Sequence, residues 1–395
     1  MSTTYDFSKL TQRRGTNSYK WDSTSDPNLI PLWVADMDFE TYPGITEALQ
    51  ERVSQGIFGY TRVPESYYDA IIHWFATYHD WHIRRSDIIY TSGVVPAISA
   101  IIKALTLPGD QVIVQGPVYN CFFSSIRNNG CEMVSNSLIY NRKTKRYEID
   151  FADLEQKLQH DRSRLFLLCN PHNPGGRVWT RDELTQLAQL CQKHGVRIIS
   201  DEIHCEFTFS PYQYTPLGSL PAELSEGCIT CCSPSKAFNI AGLQIANIIC
   251  RDAEVRERID RAININEVCD VNPFGVIALE KAYSAEGHEW LCQLQHYLAD
   301  NYELLRKRFA QEMPQCPVML MEGTYLAWVD CSALPISSQE LSELLIKDHH
   351  VWIAAGSVYG REGTHFVRIN MACPRARLEE GLKRIFEGMR GLLLE

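Results

Sequence analysis

Residues 164–204 read RLFLLCNPHNPGGRVWTRDELTQLAQLCQKHGVRIISDEIH, and the fold turns on this run. An apolar stretch, RLFLLC, stops at a turn rich in proline and glycine. A helical pattern follows: Thr180 precedes an acidic first turn, Glu183 stands three residues on as in a capping box, and Gly195 follows a basic last turn. A second apolar stretch, VRIIS, ends in the charged group Asp201, Glu202 and His204. Strand, helix and strand in that order form the unit of a parallel sheet, because a parallel neighbour needs a crossover long enough to carry the chain back.

The same alternation extends from about residue 86 to 251. DIIYTSG, QVIVQGP, CEMVSNSLI, CITCCSPS and IANIICR bring the candidate strands to seven. From about 252 to 312 the pattern turns helical. YLAWVD, VWIAAGSVYG and THFVRINMA then supply shorter strands divided by the helix SSQELSELLIKDHH, and a helix near RLEEGLKRIFEGMRGLLLE closes the chain. An α/β architecture is expected, with a large, mostly parallel seven-stranded sheet flanked by helices and a smaller α+β domain.

Composition excludes several function classes. The 395 residues are 45% hydrophobic and 22% charged, with no apolar run of the ~18 residues that a bilayer span needs. A net charge of −10 without a basic tract argues against nucleic acid or an anionic membrane as partner. The N-terminus lacks the apolar core of a signal peptide, and the 14 cysteines lie scattered through apolar segments, so a cytoplasmic location with reduced thiols is expected. Cys228 and Cys231 match C-x-x-C, but on a strand they point to opposite faces and no second pair follows. His79, Asp80 and His82 in HDWH are explained by an aromatic-rich helix end. No metal site is expected.

In open α/β sheets the ligand lies beyond the carboxyl ends of the strands. At those ends stand Ser92-Gly93-Val94-Val95, entering a helix whose free N–H groups suit a phosphate; Asn170-Pro171-His172-Asn173-Pro174, which holds an amide in one orientation; and Asp201, Glu202 and His204. Last comes Ser233-Pro234-Ser235-Lys236, two hydroxyls and an amine at a strand-to-helix junction. An ammonium behind a buried strand is costly unless it is paired, neutralised or used, and here it is free to form an imine. Arg368, between Val367 and Ile369, faces away from its apolar neighbours and is either exposed or aimed at a site.

The set NPHNPGGR, SDEIH and SPSKAFNIAGL resembles the pyridoxal-phosphate enzymes of the aspartate aminotransferase fold, fold type I. PLWVADMDF at 31–39, GIFGY at 56–60 and FVRINMACPR at 366–375 resemble the MalY/PatB-type cystathionine β-lyases. The resemblance implies a large domain of residues 46–285, a small domain of 1–45 and 286–395, and pyridoxal 5′-phosphate as cofactor. It implies that Lys236 bonds to the cofactor, that Asp201 faces the pyridine nitrogen, and that Asn173 and His204 bracket the phenolic oxygen. Tyr119 would stack on the ring; Gly93, Val94, Val95, Ser233 and Ser235 would hold the phosphate; Arg368, with Asn173 and Tyr60, would bind substrate. Tyr60 would also reach the neighbouring subunit's phosphate, which implies a homodimer. Where aminotransferases of this fold carry a phosphate-binding arginine eight residues after the lysine, this chain has Gln244.

The implied reaction is α,β-elimination from a sulfur amino acid such as L-cystathionine, or from cysteine and its S-conjugates, to a thiol, pyruvate and ammonia, with Lys236 as base. An aminotransferase using the same Lys236 and Arg368, and a cofactor-binding regulator with incidental lyase activity, are the alternatives.

Overall fold

A computed structural model describes residues 4–265 and 270–393; positions 266–269, inside the expected helical stretch, and the last two residues of the closing helix segment lie outside them. The strands are β1 (Ile30–Leu32), β2 (Ile88–Thr91), β3 (Gln111–Val114), β4 (Glu132–Ser135), β5 (Ile139–Asn141), β6 (Arg146–Glu148), β7 (Ser163–Cys169), β8 (Arg197–Asp201), β9 (Ile229–Cys232), β10 (Ala246–Cys250), β11 (Leu326–Asp330), β12 (Val351–Ala355) and β13 (Phe366–Asn370).

Seven of them form the large sheet, in the order β2-β10-β9-β8-β7-β3-β4. Only β10 runs against its neighbours. Alternation along the strands splits the core in two. Val112, Val114, Leu165, Leu167 and Ile199 pack with Ile98, Ile101 and Ile102 of the helix Val94–Leu105, whereas Ile113, Phe166, Leu168 and Ile198 pack on the other face with Leu184, Leu187 and Cys191 of the helix Arg181–Lys193. Cys228, just before β9, and Cys231 within it fall into these two separate clusters.

The helix Arg181–Lys193 begins as its sequence predicts. Thr180 Oγ1 accepts from the Glu183 N–H at 3.2 Å, and Glu183 Oε2 accepts from the Thr180 N–H at 2.8 Å.

A second sheet has the order β1-β12-β13-β11, so residues near the N-terminus pair with strands more than 300 positions away. The β1 strand and the β5–β6 hairpin are absent from the sequence expectations, because three-residue strands carry too few residues for a period to register. After β1 the stretch Trp33–Phe39 crosses between the two sheets, held by its carbonyls. Asn370 Nδ2 donates to Val34 O and Asp36 O, Asn239 Nδ2 to Met37 O and Phe39 O, and Lys20 Nζ to Asp36 O.

His79 closes the helix Glu65–His79 and pairs with Glu206 at 3.1 Å; Asp80 follows it with φ of +48°, while His82 is exposed. No helix among the described residues is long and apolar enough to cross a membrane.

Candidate active site

The carboxyl ends of β2, β7, β8 and β9 face the small sheet across a cavity of about 640 Å³, within the range of small-molecule sites. Lys236 lines it. Its Nζ donates to Ala35 O at 2.6 Å, and Tyr325 Oη donates to the same carbonyl at 3.3 Å. Burial and the nearby Arg368 lower the Lys236 pKa below the ordinary lysine value, while Asp36 and Asp201 oppose them. Lys236 is therefore more readily neutral than a surface lysine.

Asp201 is the last residue of β8, and its register partners are Cys169 on β7 and Cys231 on β9, both buried thiols. Its carboxylate accepts one hydrogen bond, from the Ile203 N–H at 3.1 Å. Burial, with Glu202 adding its negative charge, pushes Asp201 up to about 7 despite that bond and the opposing charge of Lys236. Such a carboxylate is short of a cation. Glu202 points elsewhere and is satisfied by Ser200 Oγ at 2.7 Å, the Leu217 N–H at 3.0 Å and the Tyr214 hydroxyl.

His204 also lines the cavity. Its Nδ1 is buried without a partner, and burial beside Lys236 and Arg368 lowers it to about 3, so the ring is neutral. Asn173 comes from the turn after β7 and accepts from Arg368 Nη1 at 3.0 Å. Arg368, in the middle of β13, donates from Nη2 to Trp33 O at 2.8 Å and lies 4.8 Å from the Tyr359 ring centroid; its Nε is buried and unpartnered. It is 4% exposed, which decides between the two readings of that strand position.

Gly93 precedes the helix Val94–Leu105, and Gly93, Val94 and Val95 present the helix N-terminus to the cavity. Tyr119 and Ser235 line it as well. Two candidates do not. Ser233 is 2% exposed; its hydroxyl donates to Ile245 O and accepts from the Ser235 N–H at 3.0 Å, so it braces the turn rather than facing the cavity. Tyr60 is 96% exposed and outside the cavity of its own chain. Gln244 is exposed, with φ of +53°.

The structure adds residues that the sequence did not single out as site residues. Tyr325, Tyr359 and Trp352 belong to the small sheet or its connections, and Ala35 acts through its backbone carbonyl. A carbonyl has no signature in sequence. The aromatic residues there read as ordinary core.

Pyridoxal phosphate fits this donor set. A helix N-terminus and the Ser235 hydroxyl suit a phosphate, an under-compensated buried carboxylate suits a protonated ring nitrogen, and the unpartnered His204 Nδ1 and the Asn173 amide suit a polar ring oxygen.

The chain matches the family description "Aminotransferase class I and II" over residues 27–385. It is 41% identical to the cystathionine beta-lyase PatB of Bacillus subtilis over 383 residues, covering 96% of this chain and 98% of that protein. It is 34% identical to the protein MalY of Escherichia coli, covering 98% and 100%. Among solved structures, cystalysin from Treponema denticola, which contains a pyridoxal 5′-phosphate cofactor, superposes with a TM-score of 0.95 at 32% identity, over 99% of this chain and 100% of that one. With this sheet order, this cavity and these matches along nearly its whole length, the chain belongs to the class I and II aminotransferase family.

Proposed function

We propose that this protein is a pyridoxal-phosphate-dependent carbon–sulfur β-lyase that splits L-cystathionine, and other S-substituted cysteines, into a thiol, pyruvate and ammonia. The observation that carries the reading is the convergence of Lys236, Asp201 and Arg368 on one cavity, in a chain resembling cystathionine beta-lyases over nearly its whole length. Gln244 supports elimination over transamination, since it stands where the aminotransferases of this fold have a phosphate-binding arginine.

Arg368 binds the substrate α-carboxylate through its guanidinium fork, steadied by Asn173 and Trp33 O. Ser235 and the N–H groups of Val94 and Val95 would hold the cofactor phosphate, and Tyr119 would pack on its ring. Asp201 keeps a proton on the ring nitrogen. When bound, the cofactor supplies an electron-withdrawing ring that stabilises negative charge at the substrate Cα. Lys236 would hold the cofactor, and its amine would take the substrate Cα proton; the electron pair left at Cα then forms the Cα=Cβ bond as the Cβ–S bond breaks, the thiolate leaves and is protonated, and one water hydrolyses the resulting enamine to pyruvate and ammonia. A lowered lysine pKa favours that role.

The working unit is a homodimer in which Tyr60 of the partner subunit reaches the phosphate. Its support is the run 53–60, exposed throughout, with Val53 at 53%, Ile57 at 75% and Phe58 at 57% in the single chain. The fold divides into a large domain of 46–285 and a small domain of 1–45 with 286–395, the cavity between them. A cytoplasmic setting agrees with the 13 described cysteines, all of them free thiols.

The test is pyruvate release from L-cystathionine with no keto acid added. Pyruvate from wild type and none from Lys236→Ala supports the reading. Turnover that requires a keto-acid acceptor, or a Lys236→Ala variant with normal release, refutes it. Mixing Lys236→Ala and Tyr60→Ala chains, each inactive alone, should restore activity if the site is shared.

A further inference from the structure

The cavity continues past the Lys236–Arg368 region to an outer wall of different chemistry. Trp33, the residue after β1, and Trp352 of the adjacent strand β12 stack with ring centroids 4.3 Å apart and planes inclined by 9°. Tyr19 packs on Trp33 with centroids 5.2 Å apart. Gln339 and Glu343, both exposed, also line the cavity, one turn apart in the helix Ser338–His349, with Gln339 Nε2 donating to Glu343 Oε1 at 2.7 Å.

Two features define what this outer part accepts. The two tryptophan rings stack on each other and Tyr19 packs on Trp33, so they present apolar and π surface to the methylenes of a substituent and to a cation at its end. The cavity's charged residues are Asp201, Lys236 and Arg368 at the inner end and Glu343 at the outer end. Glu343 has no cationic side chain paired with it among the described residues. The outer end is therefore aromatic and singly anionic, and it lies beside the carboxylate clamp, since Trp33 gives its ring to the wall and its carbonyl to Arg368.

We infer that Tyr19, Trp33, Trp352 and Glu343 form the leaving-group subsite, and that it selects S-substituted cysteines whose departing thiol carries an ammonium group over those carrying a carboxylate alone. This rests on the lyase reading above. In L-cystathionine the leaving half bears such an ammonium three carbons from sulfur, and Glu343 is its counterion; Glu343 and the rings are specificity determinants, with no part in proton transfer.

Three conjugates that differ at one group separate the contributions: S-(3-aminopropyl)-L-cysteine, its near-isostere S-butyl-L-cysteine, and S-(2-carboxyethyl)-L-cysteine. Pyruvate release by the holoenzyme gives kcat/KM for each, and the ratios within one variant cancel any general loss of activity. Wild type should prefer the aminopropyl over the butyl compound, and Glu343→Gln should lower that ratio roughly fivefold, the effect of one partly solvated ion pair. Glu343→Lys should reverse the order of the aminopropyl and carboxyethyl compounds. Trp352→Leu should reduce the rate with the butyl and aminopropyl compounds together. Ratios unchanged in both Glu343 variants overturn the subsite while leaving the lyase intact. Absence of pyruvate from all three conjugates and from L-cystathionine with wild type overturns the lyase reading, and the subsite with it.

Discussion

Replacing Asp201 by asparagine should move stability and activity in opposite directions. The asparagine keeps an acceptor for the Ile203 N–H and the volume between Cys169 and Cys231, but it cannot ionise. In the cofactor-free protein Asp201 lies near 7, against 3.8 for a free aspartate, because burial opposes its charge. An acid whose pKa rises on folding holds its proton more tightly in the folded chain, so stability falls as pH climbs from 3.8 to about 7, and the penalty is complete above that. At ~1.4 kcal/mol for each tenfold in proton affinity, that interval comes to roughly 4 kcal/mol. Cofactor-free Asp201→Asn should thus exceed wild type in stability by up to about 4 kcal/mol at pH 8 and by under ~2 kcal/mol at pH 5. Urea denaturation at the two pH values measures both gaps.

With pyridoxal phosphate bound the order should invert. On the proposed placement the wild-type carboxylate would then face a cationic ring nitrogen, whereas asparagine would hold no proton there. Loading should raise the urea midpoint of wild type more than that of the variant, and pyruvate release should fall by about two orders of magnitude or more. A variant no more stable than wild type at pH 8, or a gap that shrinks as pH rises, refutes the reasoning.

Arg368→Lys keeps the charge but loses the fork that reaches both Asn173 and Trp33 O, so KM for L-cystathionine should rise roughly 10- to 100-fold, with a smaller change in kcat; an unchanged KM would remove Arg368 from substrate binding. Glu322 is fully buried, and its Oε2 accepts from Arg177 Nε at 3.0 Å and the Val178 N–H at 2.9 Å, behind the turn that carries Asn173. Glu322→Gln leaves Arg177 only the partly exposed Glu183 as counterion and should cost about 3 kcal/mol in denaturant unfolding. Ser235→Ala should weaken pyridoxal-phosphate binding about tenfold, whereas Ser233→Ala should cost about 1 kcal/mol of stability with little change in cofactor affinity, a contrast that equilibrium dialysis and urea melts resolve.

The parallel sheet was legible because its determinants are local. Short apolar runs, a capping box at Thr180 and Glu183, and glycine at position 195 each act within a few residues, and each is realised in the structure. Much of the candidate site was legible for a related reason: residues just past the strand ends converge wherever strands run parallel, so Asp201, Asn173 and Lys236 could be grouped before any distance was known. The β1 strand was not legible, since its partner, β12, lies more than 300 residues away and three residues show no period.

Side-chain type alone also misassigned neighbours. Ser233 and Ser235 are identical in sequence terms and two residues apart, yet the Ile245 carbonyl claims one hydroxyl and leaves the other at the cavity. The sequence by itself therefore determined the sheet, the family and the lysine at the cavity, all matters of local pattern and residue chemistry. Only the tertiary structure decided where Arg368 points, what raises Asp201, that the Ala35 carbonyl meets Lys236, and that Trp33, Trp352 and Glu343 line the same cavity. Burial, charge and contact at those points arise from chain segments far apart in sequence, and they exist only once the two sheets are packed together.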